Sequence, residues 1–209
     1  MLEDVAAGDL VAVVNTHLFF HPNAPQVRAL QVHLLLTEVQ HALQGLPTSA
    51  VLFCGDLNAK PTNELYSFVR TGRLGSTALM WWKGRHFKWG KGDDFYDFLK
   101  SEEDRPVDHS DPVSGTYFCM DLAHPMPGLE SIHVAVADSE PEYTNLVGGF
   151  EGVLDYIFFH PGRLEAIHAL PVPPRAVVEQ NTALPSPIFP SDHVAVVADL
   201  RLKAQGPAE

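Results

Sequence analysis

The amino-acid sequence predicts a single α/β domain, because short apolar runs typical of buried strands alternate with segments of helical periodicity. The chain has 209 residues, of which 45% are hydrophobic, so it is long enough to bury one sizeable core. Polar residues adjoin several of the apolar runs, which is how α/β folds present their active sites. Candidate functional residues are therefore expected at the ends of predicted strands.

Two strands and two helices are predicted in the first third of the chain. Residues 10–14 form a short apolar run that predicts a buried strand, and the polar residues 15–18 follow it at once. Apolar residues recur at three- and four-residue spacing through residues 27–43, which predicts a helix facing the core. Residues 50–54 predict a second buried strand, and residues 61–69 predict a second helix.

Two signals mark the ends of the helix predicted at residues 61–69. Thr62 has a side-chain oxygen suited to the N-cap position, and Gly72 tolerates the left-handed backbone of a C-cap. The sequence Gly55-Asp56-Leu57-Asn58 lies between the second strand and this helix. We therefore expect an acidic loop that joins a strand to a helix.

The last third of the chain repeats the pattern of a strand beside a polar cluster. Residues 154–160 predict a strand that contains Asp155. Residues 194–202 predict another strand, which follows Ser191-Asp192-His193. The polar clusters of the strands are expected to converge.

The middle and the end of the chain carry weaker signals. Residues 75–142 have weak periodicity, and we interpret them as a variable insertion in a domain that spans residues 1–209, with a C-terminal tail at residues 204–209. Within the insertion, residues 81–91 interleave four aromatic with four cationic side chains, a combination that binds single-stranded nucleic acid by stacking and charge. Packing of the aromatic residues on the core is an equally good explanation.

The composition limits the classes of partner. Lysine and arginine number 14 and aspartate and glutamate 26, so the net charge of −12 repels polyanions at long range and any nucleic acid has to bind locally. No stretch reaches the roughly 18 uninterrupted apolar residues of a membrane-spanning helix, so no membrane partner is predicted. The two cysteines favour reduced thiols over a disulfide framework.

The polar residues at the predicted strand ends have the chemistry that phosphodiester cleavage requires. Asp56, Asn58 and Asp192 offer the oxygen ligands that Mg²⁺ prefers. Hydrolysis also needs activation of a water molecule, and donors for the charge on the phosphate oxygens and for the leaving oxygen. His17 and His193 are suited to act as these donors.

Asp155 is expected to orient His193 and to favour its protonated form, as the carboxylate of a catalytic triad orients its histidine. Each candidate also has a structural explanation, since Asp56 and Asn58 suit a turn and a histidine at a strand edge often only hydrogen-bonds. Their joint placement at strand ends favours a common site. A zinc site among the 11 histidines is a weaker alternative, because no paired cysteine or HExxH spacing accompanies them.

Four motifs, in this order along the chain, resemble the endonuclease/exonuclease/phosphatase superfamily. They are Asn-Thr-His-Leu at 15–18, Gly-Asp-Leu-Asn at 55–58, Leu-Asp-Tyr-Ile-Phe at 154–158 and Ser-Asp-His at 191–193. Longer matches resemble the superfamily's branch of mitochondrial 2′,5′-phosphodiesterases, which is related to the poly(A) deadenylases; these matches lie at 17–22, 53–58, 143–150 and 189–193. The resemblance is weakest across the insertion.

The resemblance implies a Mg²⁺-dependent 3′-exoribonuclease and 2′,5′-phosphodiesterase that releases AMP from 2′,5′-oligoadenylate and from poly(A) tails. Its RNA or oligoadenylate substrate would be met in the mitochondrial matrix, with the cytoplasm as the alternative location. By the same resemblance, Asp56 would activate the attacking water and Asn58 would hold a phosphate oxygen. Asp192 would bind the metal, directly or through water.

The remaining roles that the resemblance implies concern phosphate and substrate. His193, supported by Asp155, would polarise the phosphate. His17 would contact the substrate and assist the departing oxygen. Asn145 would be a substrate contact.

The resemblance also implies a fold, and the sequence departs from the family pattern in one respect. The family's fold is two mixed β-sheets packed as a sandwich with outer helices. Its principal metal ligand, a glutamate of an N-terminal strand, has no counterpart here, so we expect a portion of that fold with the N-terminal half missing. A truncated form that is weakly active or inactive, with an apolar sheet face exposed to water, is the expected consequence.

Two alternatives stay open. The shared motifs fix the reaction and not the leaving group, so an abasic-site endonuclease or an inositol phosphatase is one alternative. A non-catalytic product that binds RNA through residues 81–91 is the other. The oligomeric state is not predicted.

Overall fold

A mixed five-stranded β-sheet lies at the centre of the molecule, with three two-stranded sheets beside it. The computed structural model describes residues 2–3, 10–46, 50–84, 87 and 119–203. The predicted α/β class is confirmed. No helix within these described ranges is both long and apolar enough to cross a membrane.

Strands and helices contribute about equally to the regular structure in the described ranges. In chain order the strands are β1 (Leu2–Glu3), β2 (Leu10–His17), β3 (Ala50–Asp56), β4 (Arg73–Leu74), β5 (Leu122–Ala123), β6 (Glu130–Ser131), β7 (Asn145–Val147), β8 (Phe150–Gly152), β9 (Asp155–Phe159), β10 (Leu164–Ala169) and β11 (Ala198–Leu202). The helices are α1 (Pro25–Leu43), α2 (Glu64–Thr71), α3 (Leu79–Gly84), α4 (Ile132–Ala137) and α5 (Arg175–Val178). The strands predicted at residues 10–14 and 50–54 are confirmed and run on to His17 and Asp56.

The central sheet has the strand order β1-β2-β3-β9-β6. β2 and β3 are parallel, whereas β3 and β9 are antiparallel. A parallel pair needs a crossover connection, and α1 provides it. The carboxyl ends of β2 and β3 therefore meet the amino end of β9 at one edge of the sheet.

The two faces of the central sheet pack against different layers, because successive side chains of a strand point to opposite faces. On one face Phe53 and Phe158 join buried residues of α1 and α2 in the main core cluster. On the other face Leu52 and Ile157 pack against β10 and β11. This layering of two sheets with outer helices agrees with the predicted sandwich class. In the central sheet, the apolar residue Val13 on β2 remains 43% exposed to solvent.

The predicted N-cap of α2 is wrong by one residue. Asn63, not Thr62, caps the helix, and its Oδ1 accepts a hydrogen bond from the Leu65 N–H at 2.9 Å. The helix begins at Glu64, so the side chain of Asn63 is the one that reaches the free N–H groups of the first turn. The C-cap prediction is confirmed, since Gly72 has a φ of 76° and its N–H donates to the Phe68 oxygen.

The strand predicted at residues 194–202 begins only at Ala198. Val194 is buried in a separate apolar cluster with Tyr143 and Leu146. Its N–H donates to the Thr144 carbonyl oxygen at 2.8 Å, so this backbone bonds to another segment instead of the β10–β11 ladder. Val194 is thus apolar because its loop packs against another segment. In the sequence, such a buried loop residue looks the same as a buried strand residue.

The start of the predicted insertion packs on the core. Trp81 on α3 is 2% exposed, and its indole N–H donates to the Gly75 oxygen at 2.9 Å. This burial fits core packing for Trp81 and leaves its ring unavailable for stacking on a base. Residues 85–86 and 88–91 of the aromatic and basic run lie outside the described residues.

His124 is buried as a neutral ring beneath the end of α2. Its Nε2 lies 2.9 Å from the Phe68 carbonyl oxygen, and its Nδ1 accepts a hydrogen bond from the Met126 N–H at 3.2 Å. Both nitrogens are therefore used by the neutral form with the proton on Nε2. Burial lowers the pKa of His124 from 6.5, and the nearby His33 acts in the same direction, while the hydrogen bonds to backbone carbonyls oppose it.

We expect the free energy of unfolding to fall as the pH drops below the ordinary histidine pKa, because the unfolded chain then binds a proton that folded His124 resists. The stabilisation is fully present above that pKa and is lost as the pH falls through the lowered pKa of the folded state. Urea unfolding at about pH 7.5 and about pH 5 measures the difference. The loss should be smaller in His124→Gln and unchanged in the control His168→Gln, at an exposed histidine. Identical pH dependence in all three proteins would contradict this expectation.

Candidate active site

Three polar residues lie in one row across three neighbouring strands. The strand register pairs His17 with Asp56 in the parallel β2–β3 ladder and Asp56 with Asp155 in the antiparallel β3–β9 ladder. Directly paired residues have their side chains about 4.5–5.5 Å apart on one face of a sheet. Backbone hydrogen bonding of the sheet therefore assembles residues that are far apart in the sequence.

Gly55 permits β2 and β3 to come together at this row. Its φ is 134°, a backbone conformation that side chains rarely adopt, and a Cβ at this position would collide with the carbonyl oxygen of Thr16. The glycine of the Gly-Asp-Leu-Asn motif is thus required by the strand spacing beside Asp56.

The loop after β3 fixes the carboxylate of Asp56. Its Oδ1 accepts a hydrogen bond from the Asn58 N–H at 2.8 Å, and Asn58 has a φ of 49°, which an asparagine in such a turn tolerates. Asn58 Nδ2 donates to the Leu18 oxygen at 2.9 Å, and the Leu57 N–H donates to the Leu154 oxygen at 2.8 Å. The loop is thereby bonded to the segments on both of its sides.

The second carboxylate oxygen of Asp56 faces two histidines. Asp56 Oδ2 lies 3.2 Å from His17 Nε2 and 3.8 Å from His193 Nε2. The Asp56 side chain is 11% exposed, whereas the His17 side chain is 69% exposed. Asp56 therefore lies at the base of the site, and His17 lies where a ligand can reach it.

His193 is held by the carboxylate that the sequence predicts as its partner. Its Nδ1 lies 2.7 Å from Asp155 Oδ2, which leaves Nε2 between the carboxylates of Asp56 and Asp192. The Nε2 of His193 lies 3.9 Å from Asp192 Oδ2. A histidine whose one nitrogen is anchored presents the other nitrogen in a defined direction.

Asn145 connects β7 to the loop that carries His193. Its Nδ2 donates to the Asp192 carbonyl oxygen at 3.2 Å and approaches Asp192 Oδ2 at 3.4 Å. Asn145 also forms an isolated backbone bridge with His193. Its side-chain oxygen is buried and has no hydrogen-bond partner among the described residues. A buried acceptor of this kind favours a donor or a cation supplied by a ligand.

The surroundings of Asp56 and His193 shift the pKa of each residue upward. Burial raises the pKa of Asp56, and the carboxylate of Asp155 adds to the rise, while the Asn58 N–H and the two histidines oppose it. The hydrogen bond that His193 Nδ1–H donates to Asp155 raises the pKa of His193, burial opposes the rise, and the surrounding carboxylates support it. The protonated form of His193 is therefore favoured relative to that of an ordinary histidine.

The donor atoms of the site fit a divalent cation. One ligand atom each from Asp56, Asp155 and His193 lies within 4.8 Å of the others. Asp192 lies outside this group, with a carboxylate that is 54% exposed. Carboxylate oxygens, together with the unpartnered amide oxygen of Asn145, are ligands of the kind that Mg²⁺ prefers. Because Asp155 Oδ2 is bonded to His193 and both oxygens of Asp56 face donors, the exposed carboxylate of Asp192 offers the most available oxygens of the three.

The structure brings every predicted site residue to one end of the central sheet. These residues are His17, Asp56, Asn58, Asn145, Asp155, Asp192 and His193. Their individual roles stay predictions. Sequence reasoning missed Thr144, which lies beside Asn145 and accepts two hydrogen bonds at the start of β9. A buried threonine has no sequence signal of its own. The one signal that could have found it is its position in the motif at residues 143–145, beside Asn145.

Comparison with known proteins agrees with this fold. The chain belongs to the endonuclease/exonuclease/phosphatase family, whose model matches residues 3–193. Relatives with curated descriptions include the 2′,5′-phosphodiesterase 12 of mouse and of human, each 34% identical over 194 residues. These matches cover 92% of this chain and 26% of each relative. This chain therefore spans about a quarter of the length of these relatives.

A more distant relative is an RNA-degrading subunit, and two solved structures have a similar fold. A CCR4-Not complex 3′-5′-exoribonuclease subunit Ccr4 from Mycosarcoma maydis is 27% identical over 225 residues, covering 97% of this chain and 29% of that protein. Among solved structures, ANGEL2, a 2′,3′-cyclic phosphatase, superposes with a TM-score of 0.65 and 24% identity over 92% of this chain and 57% of that one. The human Nocturnin catalytic domain gives 0.53 and 23%, over 96% and 50%. These structures share the fold.

We expect Gly55→Ala to destabilise the chain by about 3 kcal/mol or more, since the new methyl group meets backbone and not a movable side chain. Gly148→Ala is the matched control, because nothing lies within 4 Å of a Cβ at that position. Urea unfolding compares the two variants with the unmodified chain. Equal stability of Gly55→Ala and Gly148→Ala would show that β2 and β3 tolerate a wider spacing.

Replacing Asp155 by Asn should return the pKa of His193 towards the ordinary value of 6.5, because the hydrogen bond to the carboxylate is the main cause of the rise. NMR titration of the imidazole carbon-bound protons in metal-free buffer measures this change. Glu165→Gln, on the exposed surface of β10, serves as the control and should leave the titration of His193 unaltered. A His193 titration that is the same in Asp155→Asn and in the unmodified chain would contradict the assignment.

Proposed function

We propose that this chain carries catalytic residues of a Mg²⁺-dependent phosphodiesterase that releases AMP from 2′,5′-oligoadenylate and from the 3′ ends of poly(A). The main support is the arrangement in which Asp56 faces His17 and His193 while Asp155 holds His193 from behind. It combines a base, two donors for phosphate charge and a metal-compatible set of oxygens in one place. The names of the relatives, 2′,5′-phosphodiesterase and 3′-5′-exoribonuclease, support the choice of substrate.

Asp56 is the proposed base that orients and deprotonates the attacking water. Its Oδ1 is immobilised by the Asn58 N–H, and its Oδ2 lies between the two histidines. The raised pKa of Asp56 makes it a stronger base than an ordinary carboxylate. The attacking water adds to phosphorus as the bond to the 2′ or 3′ oxygen of the preceding nucleotide breaks, which releases AMP.

His193 is the proposed donor to a non-bridging phosphate oxygen. Asp155 keeps its Nδ1 protonated and fixes the ring, so the Nε2–H points into the site. Preorganised donors of this type stabilise charge that develops in the transition state without reorganising during the reaction. The raised pKa of His193 favours the form that carries this proton.

The remaining residues are assigned to the leaving group and the substrate. His17 is exposed beside Asp56 and would donate a proton to the departing oxygen. Asn58 keeps a second amide hydrogen beyond the one that bonds Leu18, and it would hold a phosphate oxygen. Asn145 would use its unpartnered oxygen to contact the ligand.

Asp192 is the residue proposed to hold Mg²⁺, directly or through water. The chemistry that a bound divalent cation supplies at such a site is charge neutralisation on a phosphate oxygen. The mitochondrial matrix is the proposed location, on the basis of the resemblance of the motifs to the mitochondrial 2′,5′-phosphodiesterase branch. Fractionation of cells that express the tagged full-length protein tests this location.

Incubation of the chain with 2′,5′-linked tri-adenylate or with oligo(A) should release AMP in Mg²⁺, and chelation by EDTA should abolish the release. His193→Asn is expected to lower kcat by about 10²- to 10⁴-fold, because it removes a positioned proton donor. The control His168→Asn changes a histidine on exposed β10 and should keep full activity. Chromatographic quantification of AMP gives the rates.

The choice of substrates separates this proposal from its rivals. Release of AMP from neither adenylate substrate, combined with cleavage of abasic duplex DNA or of an inositol phosphate, would replace the proposed substrate class. Activity that survives in Asp56→Ala and His193→Asn would refute the assigned site. A full-length 2′,5′-phosphodiesterase 12, assayed in parallel, supplies the reference rate for this chain.

A further inference from the structure

The centre of the hydrogen bonding behind the site is a threonine that has no role in the proposed chemistry. Thr144 precedes Asn145 and is fully buried. Its Oγ1 accepts hydrogen bonds from two consecutive backbone N–H groups, from Leu154 at 2.8 Å and from Asp155 at 3.1 Å. A hydroxyl oxygen has two acceptor lone pairs, so these two bonds use its accepting capacity fully.

We propose that Thr144 is a positioning residue of the active site, whose hydroxyl sets the place of Asp155 and, through it, of His193. This inference rests on the proposed function. The Asp155 backbone begins β9 at the point where the row of polar residues crosses the sheet. A shift of this backbone would move the carboxylate that lies 2.7 Å from His193 Nδ1.

The main chain of Thr144 joins the other segments of the site to the same point. Its N–H donates to the Gly152 oxygen at 2.9 Å, which bonds it to the end of β8. Its carbonyl oxygen accepts a hydrogen bond from the Val194 N–H at 2.8 Å, directly after His193 in the chain. One residue therefore contacts the segments that carry Asn145, Asp155 and His193.

The peptide groups of Leu154 extend this connection to Asp56. The Leu154 N–H donates to Thr144 Oγ1, and the Leu154 carbonyl oxygen accepts a hydrogen bond from the Leu57 N–H at 2.8 Å. Leu57 immediately follows Asp56, so the loop of the proposed base and the hydroxyl of Thr144 hold the same residue from opposite sides. The distance between the base and the histidine support thus depends on this chain of bonds.

The hydroxyl group of Thr144 has the proposed role, and substitution by valine tests this group separately from the shape of the side chain. Thr144→Val keeps the branched shape of the side chain and removes the acceptor of two buried N–H groups, whereas Thr144→Ser keeps the acceptor and removes a methyl group. A displacement of about 1 Å at a catalytic group can cost about 10²-fold in rate. We therefore expect Thr144→Val to lower kcat by about 10- to 100-fold with little change in KM, and Thr144→Ser to restore most of kcat.

Two readouts other than activity report on the same displacement. Hydrogen exchange at the Leu154 and Asp155 amides should accelerate in Thr144→Val and stay slow in Thr144→Ser. The Nδ1 proton of His193 should give a strongly downfield NMR signal in the unmodified chain, and this signal should weaken or move in Thr144→Val. The matched control is Thr37→Val, which removes a hydroxyl that bonds the His33 oxygen within α1 and should alter neither readout.

The outcomes separate this inference from the proposed function. An unmodified chain that cleaves no phosphodiester refutes the function, and the amide exchange and the imidazole proton then still decide the role of Thr144. A Thr144→Val variant that matches the unmodified chain in kcat and in the imidazole signal overturns the inference. If Thr144→Val does not fold, Thr144→Cys, with a weaker acceptor of similar size, replaces it, and unchanged kcat and imidazole signal there are equally decisive against the inference.

Discussion

The close pairing of β2, β3 and β9 is the constraint on which the rest of the site depends. It places His17, Asp56 and Asp155 in one row, and it is possible because Gly55 has no side chain to collide with Thr16. Paired strands hold their residues at a more fixed spacing than a loop does. To displace one residue of a strand, the backbone hydrogen bonds on both sides must shift together. Rigid strands thus carry the row, while the residues that complete the site come from loops beside it.

The charge of the site follows from this spacing. Burial and the neighbouring carboxylate of Asp155 raise the pKa of Asp56, and the two histidines, which face the same oxygen of Asp56, oppose this rise. The pKa of His193 is raised as well, so the site sets a more basic carboxylate beside a more readily protonated imidazole. A chain with a net charge of −12 needs such local cationic groups if it is to hold a phosphodiester.

Two separate apolar clusters pack against the segments that carry the site. The main cluster lies under β3 and β9 through Phe53 and Phe158. A smaller cluster contains Tyr143, which precedes Thr144, and Val194, which follows His193. Burial of these neighbours fixes the loop of His193 against β7, so packing and the hydrogen bonds of Thr144 act on the same segment.

By itself the sequence determined the α/β class, the strands predicted at residues 50–54 and 154–160, and the residue types of the site, because apolar periodicity and short polar motifs are local properties of the chain. It misplaced the N-cap at Thr62 and extended the last strand back to Val194, since the competition between neighbouring caps and the docking of a loop are decided by distant partners. The tertiary structure alone decided that Asp56 faces both histidines and that Thr144 bonds the segments that carry Asp155 and His193. Those contacts join segments far apart in the chain, and their geometry exists only once the strands are paired and the loops are packed.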